Sequence, residues 1–157
     1  MIKTALKTPL GTTLIEGDEN GISKISISEK TLDISSGIPS ELERAVFQLQ
    51  EYFDGNRTEF DFKLNPSGTA FQQKVWKELL KIRFGRTCSY SELAQKLGDI
   101  KAIRAVAAAN AKNPLWIVVP CHRVIGSDGS LTGYAGGLWR KKWLLEHENP
   151  VKQTKLF

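Results

Sequence analysis

The sequence predicts an α+β protein in which a small antiparallel sheet with one helix precedes a mostly helical part. Short strand patterns bounded by turns fill the first 30 residues, and apolar residues at helical spacing dominate beyond residue 66. The charge changes at the same place: residues 1–65 contain 7 Lys/Arg and 11 Asp/Glu, whereas residues 66–157 contain 15 and 6. We therefore predict two domains, 1–65 and 66–150, followed by a loose tail at 151–157.

The composition excludes several classes of protein. The 157 residues are 41% hydrophobic and 25% charged, which is typical of globular chains and not of disordered or fibrous ones. The N-terminus lacks the apolar segment of a signal peptide, and no apolar run approaches the roughly 20 residues that span a bilayer. The two cysteines and two histidines do not have zinc-site spacing. We expect a cytoplasmic protein with reduced thiols, no metal and no contact with membranes.

The first domain is predicted to contain three strands and one helix. Strand patterns at 2–7, 12–16 and 22–28 are separated by Gly-rich turns and form a meander. Ser40 follows Pro39 as a candidate N-cap of a helix that ends at Gly55, and this helix has one apolar stripe: Leu42, Ala45, Val46, Leu49 and Phe53. This domain shows no residue pattern that indicates chemistry.

The second domain begins with helices that form a candidate helix-turn-helix. Ser67 or Thr69 caps a helix with an apolar face of Phe71, Val75, Leu79 and Ile82. The sequence Ser89-x-x-Glu92 has the form of a capping box, and a turn at Gly98 separates this helix from a second one over 101–111. A last helix begins at Leu138.

Arg104 lies among alanines on the second helix of this motif. A smooth, alanine-rich surface can approach DNA closely, and one long cation on it can enter a groove. The alternative is that the alanines allow two helices to pack closely, which leaves the arginine unexplained. The positive balance of this domain favours an anionic partner such as nucleic acid, although a solvated basic face would have the same composition.

Cys121 is a candidate nucleophile in the sequence Pro120-Cys121-His122-Arg123. The adjacent histidine, the following arginine and the positive balance of the domain are three factors that could lower the pKa of its thiol. A histidine base also needs an acceptor for its other nitrogen, and acidic residues in this domain are few. These residues alone favour a reactive thiol and a buried structural cysteine equally; Cys88, directly before a cap residue, is predicted to be structural.

The second domain resembles the O6-alkylguanine-DNA alkyltransferases from about residue 68 to residue 148. The motifs that carry the resemblance, in chain order, are Gly68-Thr69-Ala70-Phe71-Gln72, Val75-Trp76, Ser89-Tyr90, Lys101-Ala102-x-Arg104-Ala105-Val106, Asn113-Pro114, Pro120-Cys121-His122-Arg123-Val124-Ile125, Gly133-Tyr134-x-Gly136-Gly137 and Leu144-Leu145-x-His147-Glu148. The first domain resembles, more weakly, the variable ribonuclease-H-like domain of that family. The resemblance implies a winged-helix-like second domain.

The resemblance also implies a single-use repair reaction without a cofactor. A monomer would bind double-stranded DNA carrying O6-alkylguanine, flip the base, and accept its alkyl group on Cys121; O4-alkylthymine would be a further substrate. His122 would act as base through a water, with Glu148 orienting it, and Asn113 would tie the recognition helix to this segment. Roles for the remaining matched positions are also implied: Tyr90 for DNA contact and a hydrogen bond to the departing guanine, Arg104, Ala105 and Arg123 for DNA contact, and Val124, Tyr134, Ala135 and Gly136 for the base pocket.

Three positions depart from the family pattern without touching these roles. Arg83 and Ile100 replace usual prolines, and Ala107 replaces a common glycine, which changes turns and close packing. Three other hypotheses predict different behaviour: a damage binder without alkyl transfer, a helix-turn-helix regulator with sequence-specific binding, and a thiol hydrolase with turnover.

Overall fold

A computed structural model of the chain describes residues 1–29, 37–131, 134 and 136–149. The chain forms two compact units, one of Met1–Ser67 with Pro114–Trp116, the other of Gly68–Asn113 and the residues from 117 onward. The predicted tail at 151–157 lies outside the described residues. Within the described ranges, no helix is long and apolar enough to cross a membrane.

The first unit contains the predicted antiparallel meander. Its strands are β1 (Ile2–Thr8), β2 (Gly11–Asp18) and β3 (Gly21–Ser28), in the order β1-β2-β3. Ile15 pairs with Ile25 across β2 and β3, and both side chains are fully buried. The alternation of buried and exposed positions shows that one face of the sheet supports the core of this unit.

One helix, α1 (Glu43–Phe53), follows a 3-10 turn at Ser40–Leu42. Leu42 and Leu49 are buried, as the apolar stripe predicts. The prediction that Ser40 is the N-cap is wrong, because Pro39 takes that position before the 3-10 turn. The Ser40 hydroxyl donates to Glu41 Oε1 at 2.7 Å and accepts no bond from a helix amide.

A short return segment, Pro114–Trp116, joins the first unit and was not anticipated from the sequence. The Ile25 amide of β3 donates to the Pro114 carbonyl at 2.8 Å, and the Trp116 amide donates to the Ile25 carbonyl at 3.2 Å. This parallel bridge occupies backbone groups of β3 that β2 does not use.

The second unit begins with α2 (Ala70–Leu79), which is anchored at its start by Thr69. Thr69 and Gln72 form a capping box, so Thr69 and not Ser67 is the cap. Gly68 permits this start, because a Cβ there would lie 2.4 Å from the Trp76 ring. Buried Trp76 in turn donates its indole N–H to the Ala109 carbonyl at 2.9 Å.

The predicted helix-turn-helix is confirmed. It consists of α3 (Tyr90–Lys96), a 3-10 turn at Ile100–Ala102 and α4 (Ile103–Ala111). The Ser89–Glu92 capping box opens α3, and Gly98 takes the left-handed conformation (φ 91°) that the turn between the helices requires.

A two-residue parallel pair joins the start of α3 to the segment after Cys121. β4 (Cys88–Ser89) pairs with β5 (Val124–Ile125), with Cys88 opposite Val124. The last helix, α5 (Leu138–His147), ends directly before Glu148. The ends of these elements bring together the residues of the candidate site.

Candidate active site

The candidate nucleophile lies in an irregular segment, residues 117–123, which we call the Cys121 segment. Ile117 has a φ of 75°, an uncommon conformation for a β-branched residue, and its side chain is almost fully buried. After Pro120, residues Cys121–Arg123 form a single 3-10 turn in which all three side chains are buried. A tight turn, and not a regular helix, therefore separates the side chains of Cys121 and His122.

His122 and Arg123 both contact one carboxylate, that of Glu148 at the end of α5. His122 Nε2 lies 2.8 Å from Glu148 Oε2, and Arg123 donates from Nε to Glu148 Oε1 at 2.7 Å and from Nη2 to Oε2 at 3.0 Å. Glu148 is 2% exposed and His122 is fully buried. The buried carboxylate is thus held by charge-assisted bonds on both oxygens.

The pKa values in this cluster have opposing causes. Burial raises the pKa of Glu148, but the charges and hydrogen bonds of His122 and Arg123 outweigh it and lower the value to about 2. Burial lowers the pKa of His122 and outweighs the attraction of Glu148. At neutral pH Glu148 is therefore ionised and His122 is neutral, so His122 Nε2–H donates to Glu148 and Nδ1 carries the lone pair.

The environment of Cys121 corrects the expectation of a lowered thiol pKa. Burial raises the pKa of Cys121 to about 11, although the Asn113 side chain, the charge of Lys141 and nearby backbone amides lower it. Arg123, expected to assist the thiolate, is engaged with Glu148 instead. The resting thiol is therefore protonated at neutral pH, and its proton must leave before the sulfur can act as a nucleophile.

Asn113 lies where the resemblance places it, between α4 and the Cys121 segment. Its Nδ2 donates to the Val119 carbonyl at 2.8 Å, and its side chain also hydrogen-bonds the Cys121 thiol. Asn113 is 3% exposed. One buried amide thus fixes both the backbone before Cys121 and the thiol itself.

The predicted DNA contact by Arg123 does not agree with the structure. Arg123 is 6% exposed, and its remaining arm donates from Nη1 to the Ile82 carbonyl at 2.6 Å. A buried guanidinium whose three nitrogens all donate inside the fold is not available to a phosphate. We therefore correct the predicted role: Arg123 holds the Glu148 carboxylate and the Ile82 carbonyl in place.

Arg104 and Ala105, in contrast, are exposed on α4. Ala108 is exposed beside them, whereas Ala109 is buried and accepts the Trp76 indole hydrogen bond. Close helix packing therefore explains the alanines on one face of α4, which packs on α2, whereas the other face presents Arg104 on a smooth, exposed surface.

A buried lysine that was not anticipated from the sequence, Lys141, contacts both Val124 and Tyr90. Lys141 is fully buried, donates from Nζ to the Val124 carbonyl at 2.6 Å, and lies 5.8 Å from the centre of the half-buried Tyr90 ring. Burial lowers the pKa of Lys141, and the charge of a Cys121 thiolate would raise it. Lys141 shares a helical stripe with Leu144 and Glu148, and this spacing could have identified it.

The predicted pocket loop is described only in part. Tyr134 is buried, and burial raises the pKa of its hydroxyl far above the usual value. The Gly136 carbonyl accepts a hydrogen bond from Arg140 Nη1 at 2.8 Å. Ala135 lies outside the described residues.

Three consecutive basic residues at 140–142 lie in α5. Arg140 and Lys141 are buried, and Lys142 is exposed.

The described residues bring no three His, Cys, Asp or Glu side chains together in an arrangement that could hold a metal ion. The two cysteines are both free thiols and both buried. Burial raises the pKa of Cys88, whose Sγ donates to the Ser89 carbonyl at 3.3 Å. Cys88 is thus a structural residue at β4.

Comparison with known proteins agrees with this geometry in both units. Residues 70–150 match the 6-O-methylguanine DNA methyltransferase DNA binding domain, and residues 1–66 match the ribonuclease-like domain of the same proteins. The chain belongs to the 6-O-methylguanine DNA methyltransferase family. The predicted family and α+β fold are confirmed.

Individual relatives are similar over nearly the whole chain. A methylated-DNA–protein-cysteine methyltransferase of Mycobacterium tuberculosis is 46% identical over 91% of this chain and 89% of the relative. One from Methanosarcina acetivorans is 43% identical over 94% and 98%. The crystal structure of Mycobacterium tuberculosis OGT in complex with DNA has a TM-score of 0.84 at 43% identity and covers 97% of both chains.

Proposed function

We propose that this protein repairs DNA by moving the alkyl group of O6-alkylguanine to the Cys121 sulfur, and that each molecule reacts once. The observation that carries this proposal is a buried thiol fixed by Asn113 in the same turn as a histidine that is bonded to an ionised carboxylate. The family match and the names of the relatives make DNA repair by methyl transfer to cysteine the activity of this chain, with DNA as its partner.

The proton of the thiol leaves toward His122. Because Nε2–H is directed at Glu148, the lone pair of Nδ1 is the basic site, and Nδ1 has no hydrogen-bond partner among the described residues. A bridging water would carry the proton from Sγ to Nδ1. Glu148 stabilises the imidazolium that results, and Arg123 keeps Glu148 ionised.

The transfer step exchanges one bond for another at the alkyl carbon. The thiolate attacks that carbon, an S–C bond forms, and the C–O6 bond breaks with its electron pair remaining on guanine. Guanine takes up one proton, so the net change moves the thiol proton to the base. We assign the hydrogen bond to the departing guanine to Tyr90, whose ring lies beside Lys141. The thioether is not hydrolysed, so no turnover follows, and no step requires a cofactor.

Base flipping is assigned to the exposed face of α4. Arg104 is the cation that would fill the vacated stack, and Ala105 would lie against the DNA. The base pocket, which we expect to accept O4-alkylthymine as well, would be formed by Val124, Tyr134, Ala135 and Gly136.

We propose a monomer that acts in the cytoplasm, with residues 1–65 as a supporting ribonuclease-H-like domain and residues 66–150 as the DNA-binding and catalytic domain.

Stoichiometry tests this proposal directly. Duplex DNA with a radiolabelled O6-methylguanine is added in increasing excess, and the label bound to protein is counted. We expect a plateau at one methyl per protein and none with Cys121→Ser. Continued release of demethylated DNA beyond one equivalent would indicate a turnover enzyme, and lesion binding without label transfer would indicate a damage binder.

A further inference from the structure

Trp139 is a large aromatic side chain that the fold leaves open to solvent. It is the second residue of α5 and is 54% exposed, and the preceding residue, Leu138, is 51% exposed. An aromatic side chain buries a large apolar area when it finds a partner, and tryptophan is enriched at binding surfaces relative to the rest of the protein surface. The proposed reaction does not use Trp139, so its exposure calls for a separate explanation.

A buried cation supports the indole on one side. Arg140 Cζ lies 4.5 Å from the centre of the Trp139 ring, within the range of a cation–π interaction. Arg140 is 9% exposed, and its Nη1 donates to the Gly136 carbonyl at 2.8 Å, so the backbone fixes the guanidinium. With one face against this cation and half of its surface exposed, the indole offers its outer face to a partner.

The indole lies beside the loop to which we assign the base pocket. A Cβ on Gly137 would lie 3.6 Å from Trp139 Cδ1, and the Gly137 amide donates to the Tyr134 carbonyl at 3.0 Å. Gly136, in the same loop, is bonded to Arg140. Trp139 therefore lies outside the assigned pocket but next to its wall, where a DNA strand passes when one of its bases enters.

A supported, exposed indole fits the flat face of an unstacked base. Within a duplex the faces of the bases are covered by their neighbours, whereas a single strand leaves them accessible. Stacking of a base on an aromatic side chain depends little on which base it is, and an arginine beside the ring strengthens the site. Residues 66–157 contain 15 Lys/Arg and 6 Asp/Glu, and this charge favours a DNA strand over an uncharged apolar partner.

We propose that Trp139, supported by Arg140, is a platform on which an unstacked base of a DNA strand lies, outside the base pocket. The protein then holds single-stranded DNA by stacking as well as by charge. This inference goes beyond the proposed alkyl transfer, because it concerns the binding of a strand and neither the thiol nor the choice of adduct. It rests on the proposed function only for the position of the pocket.

Binding of undamaged DNA tests this platform without any transfer step. Dissociation constants of the full chain are measured for an oligothymidylate and for a duplex of the same length. We expect Trp139→Ala to weaken binding of the single strand by about tenfold, the effect of one base–aromatic stack, and binding of the duplex by less than about twofold. Trp139→Phe keeps an aromatic ring and should lose less. Leu138→Ala, the matched control, removes an exposed neighbour without a ring and should bind both DNAs as the wild type does.

Salt dependence and fluorescence separate stacking from a general effect on the loop. The ratio of about ten between wild type and Trp139→Ala should be the same at low and high salt, because stacking releases no counterions. Oligothymidylate should quench the tryptophan emission of the wild type. Trp139→Phe should lose most of this quenching, although Trp76, Trp116 and Trp143 remain.

The inference is overturned if Trp139→Ala binds the single strand with wild-type affinity, if its losses on single strand and duplex are equal, or if the quenching survives in Trp139→Phe. A loss in Leu138→Ala as large as that in Trp139→Ala would also overturn it, because the ring would then have no special role. Absence of methyl transfer from O6-methylguanine in duplex DNA would overturn the proposed function instead, and these binding measurements do not depend on that transfer.

Discussion

His122 Nε2 lies 2.8 Å from Glu148 Oε2, and both side chains are buried. The two residues are 26 positions apart, and the 3-10 turn after Pro120 and the end of α5 bring them together. This pair sets the direction of the imidazole and leaves Nδ1 with the lone pair, which is the site to which we assign the thiol proton.

The His122–Glu148 pair should make the free energy of unfolding depend on pH under acidic conditions. The pKa of Glu148 is lowered from 4.5 to about 2, so the folded state binds fewer protons than the unfolded state, and the contribution of Glu148 is lost as pH falls from about 4.5 to 2. The lowered pKa of His122 acts in the same direction below about pH 6.5. Chemical denaturation as a function of pH should show Glu148→Gln with a shallower loss between pH 4.5 and 2; a slope equal to the wild-type slope would contradict this account of Glu148.

Replacement of buried Arg123 and of exposed Arg104 by methionine should change the free energy of unfolding by very different amounts. Arg123→Met leaves the buried Glu148 charge without its cation and should lower the free energy of unfolding by about 3–5 kcal/mol. Arg104→Met removes an exposed side chain and should change it by less than about 0.5 kcal/mol. Urea denaturation measures both, and equal losses in the two variants would be inconsistent with these positions.

Arg104 should matter for duplex DNA and not for the chemistry. Arg104→Ala is expected to slow repair of O6-methylguanine in duplex DNA by roughly tenfold or more, because the flipped base leaves a gap whose unstacking is worth a few kcal/mol. The reaction with free O6-alkylguanine base should stay within about twofold of wild type, because nothing is flipped. Parallel rate measurements on the two substrates decide this, and equal losses on both would exclude a base-flipping role.

Asn113 should act through the thiol pKa. Asn113→Ala removes the hydrogen bonds to the Val119 carbonyl and the Cys121 thiol, so the pKa of Cys121 should rise further above 11. The transfer rate should fall by about tenfold for each unit by which the pKa rises, and by the same factor at pH 7 and pH 9, because both values lie below the pKa of the thiol. The pH profile of single-turnover rates checks this expectation, with Gln48→Ala as a control for removal of a buried amide. A wild-type rate in Asn113→Ala, or an equal loss in Gln48→Ala, would contradict this role of Asn113.

Tyr90 should contribute through both its ring and its hydroxyl. Tyr90→Phe is expected to slow transfer by roughly 100-fold and leave it measurable, because the ring still occupies its place beside Lys141. Tyr90→Ala should lose more, since the ring is lost as well. Single-turnover rates compare the two variants, and identical losses would show that the ring has no role.

The sequence predicted those parts of the fold that are encoded locally. The capping box Ser89–Glu92 and the Gly98 turn depend on residues within a few positions of one another, and both were found where the pattern indicates. Arg123 was misassigned because its partners, Glu148 and Ile82, lie 25 and 41 residues away. Such distant contacts have no local signal, and the sequence Pro-Cys-His-Arg is equally compatible with an exposed arginine.

Buried polar residues were the hardest to predict. Lys141 reads as part of a basic surface run, and only its shared stripe with Leu144 indicates that it is buried. The sequence offered three factors that could lower the pKa of Cys121: the adjacent histidine, the following arginine and the positive balance of the domain. The structure raises this pKa instead, because desolvation of the buried thiol dominates, and Arg123 is paired with Glu148.

The site of alkylation tests the central claim most directly. Protein incubated with duplex DNA containing O6-methylguanine is digested, and the peptides with Cys121 and Cys88 are compared by mass spectrometry. We predict one added methyl on Cys121 and none on Cys88, complete loss of the modification in Cys121→Ser, and full transfer in Cys88→Ala. A methyl on any other residue, or an unmodified Cys121 after the DNA has been repaired, would contradict the account.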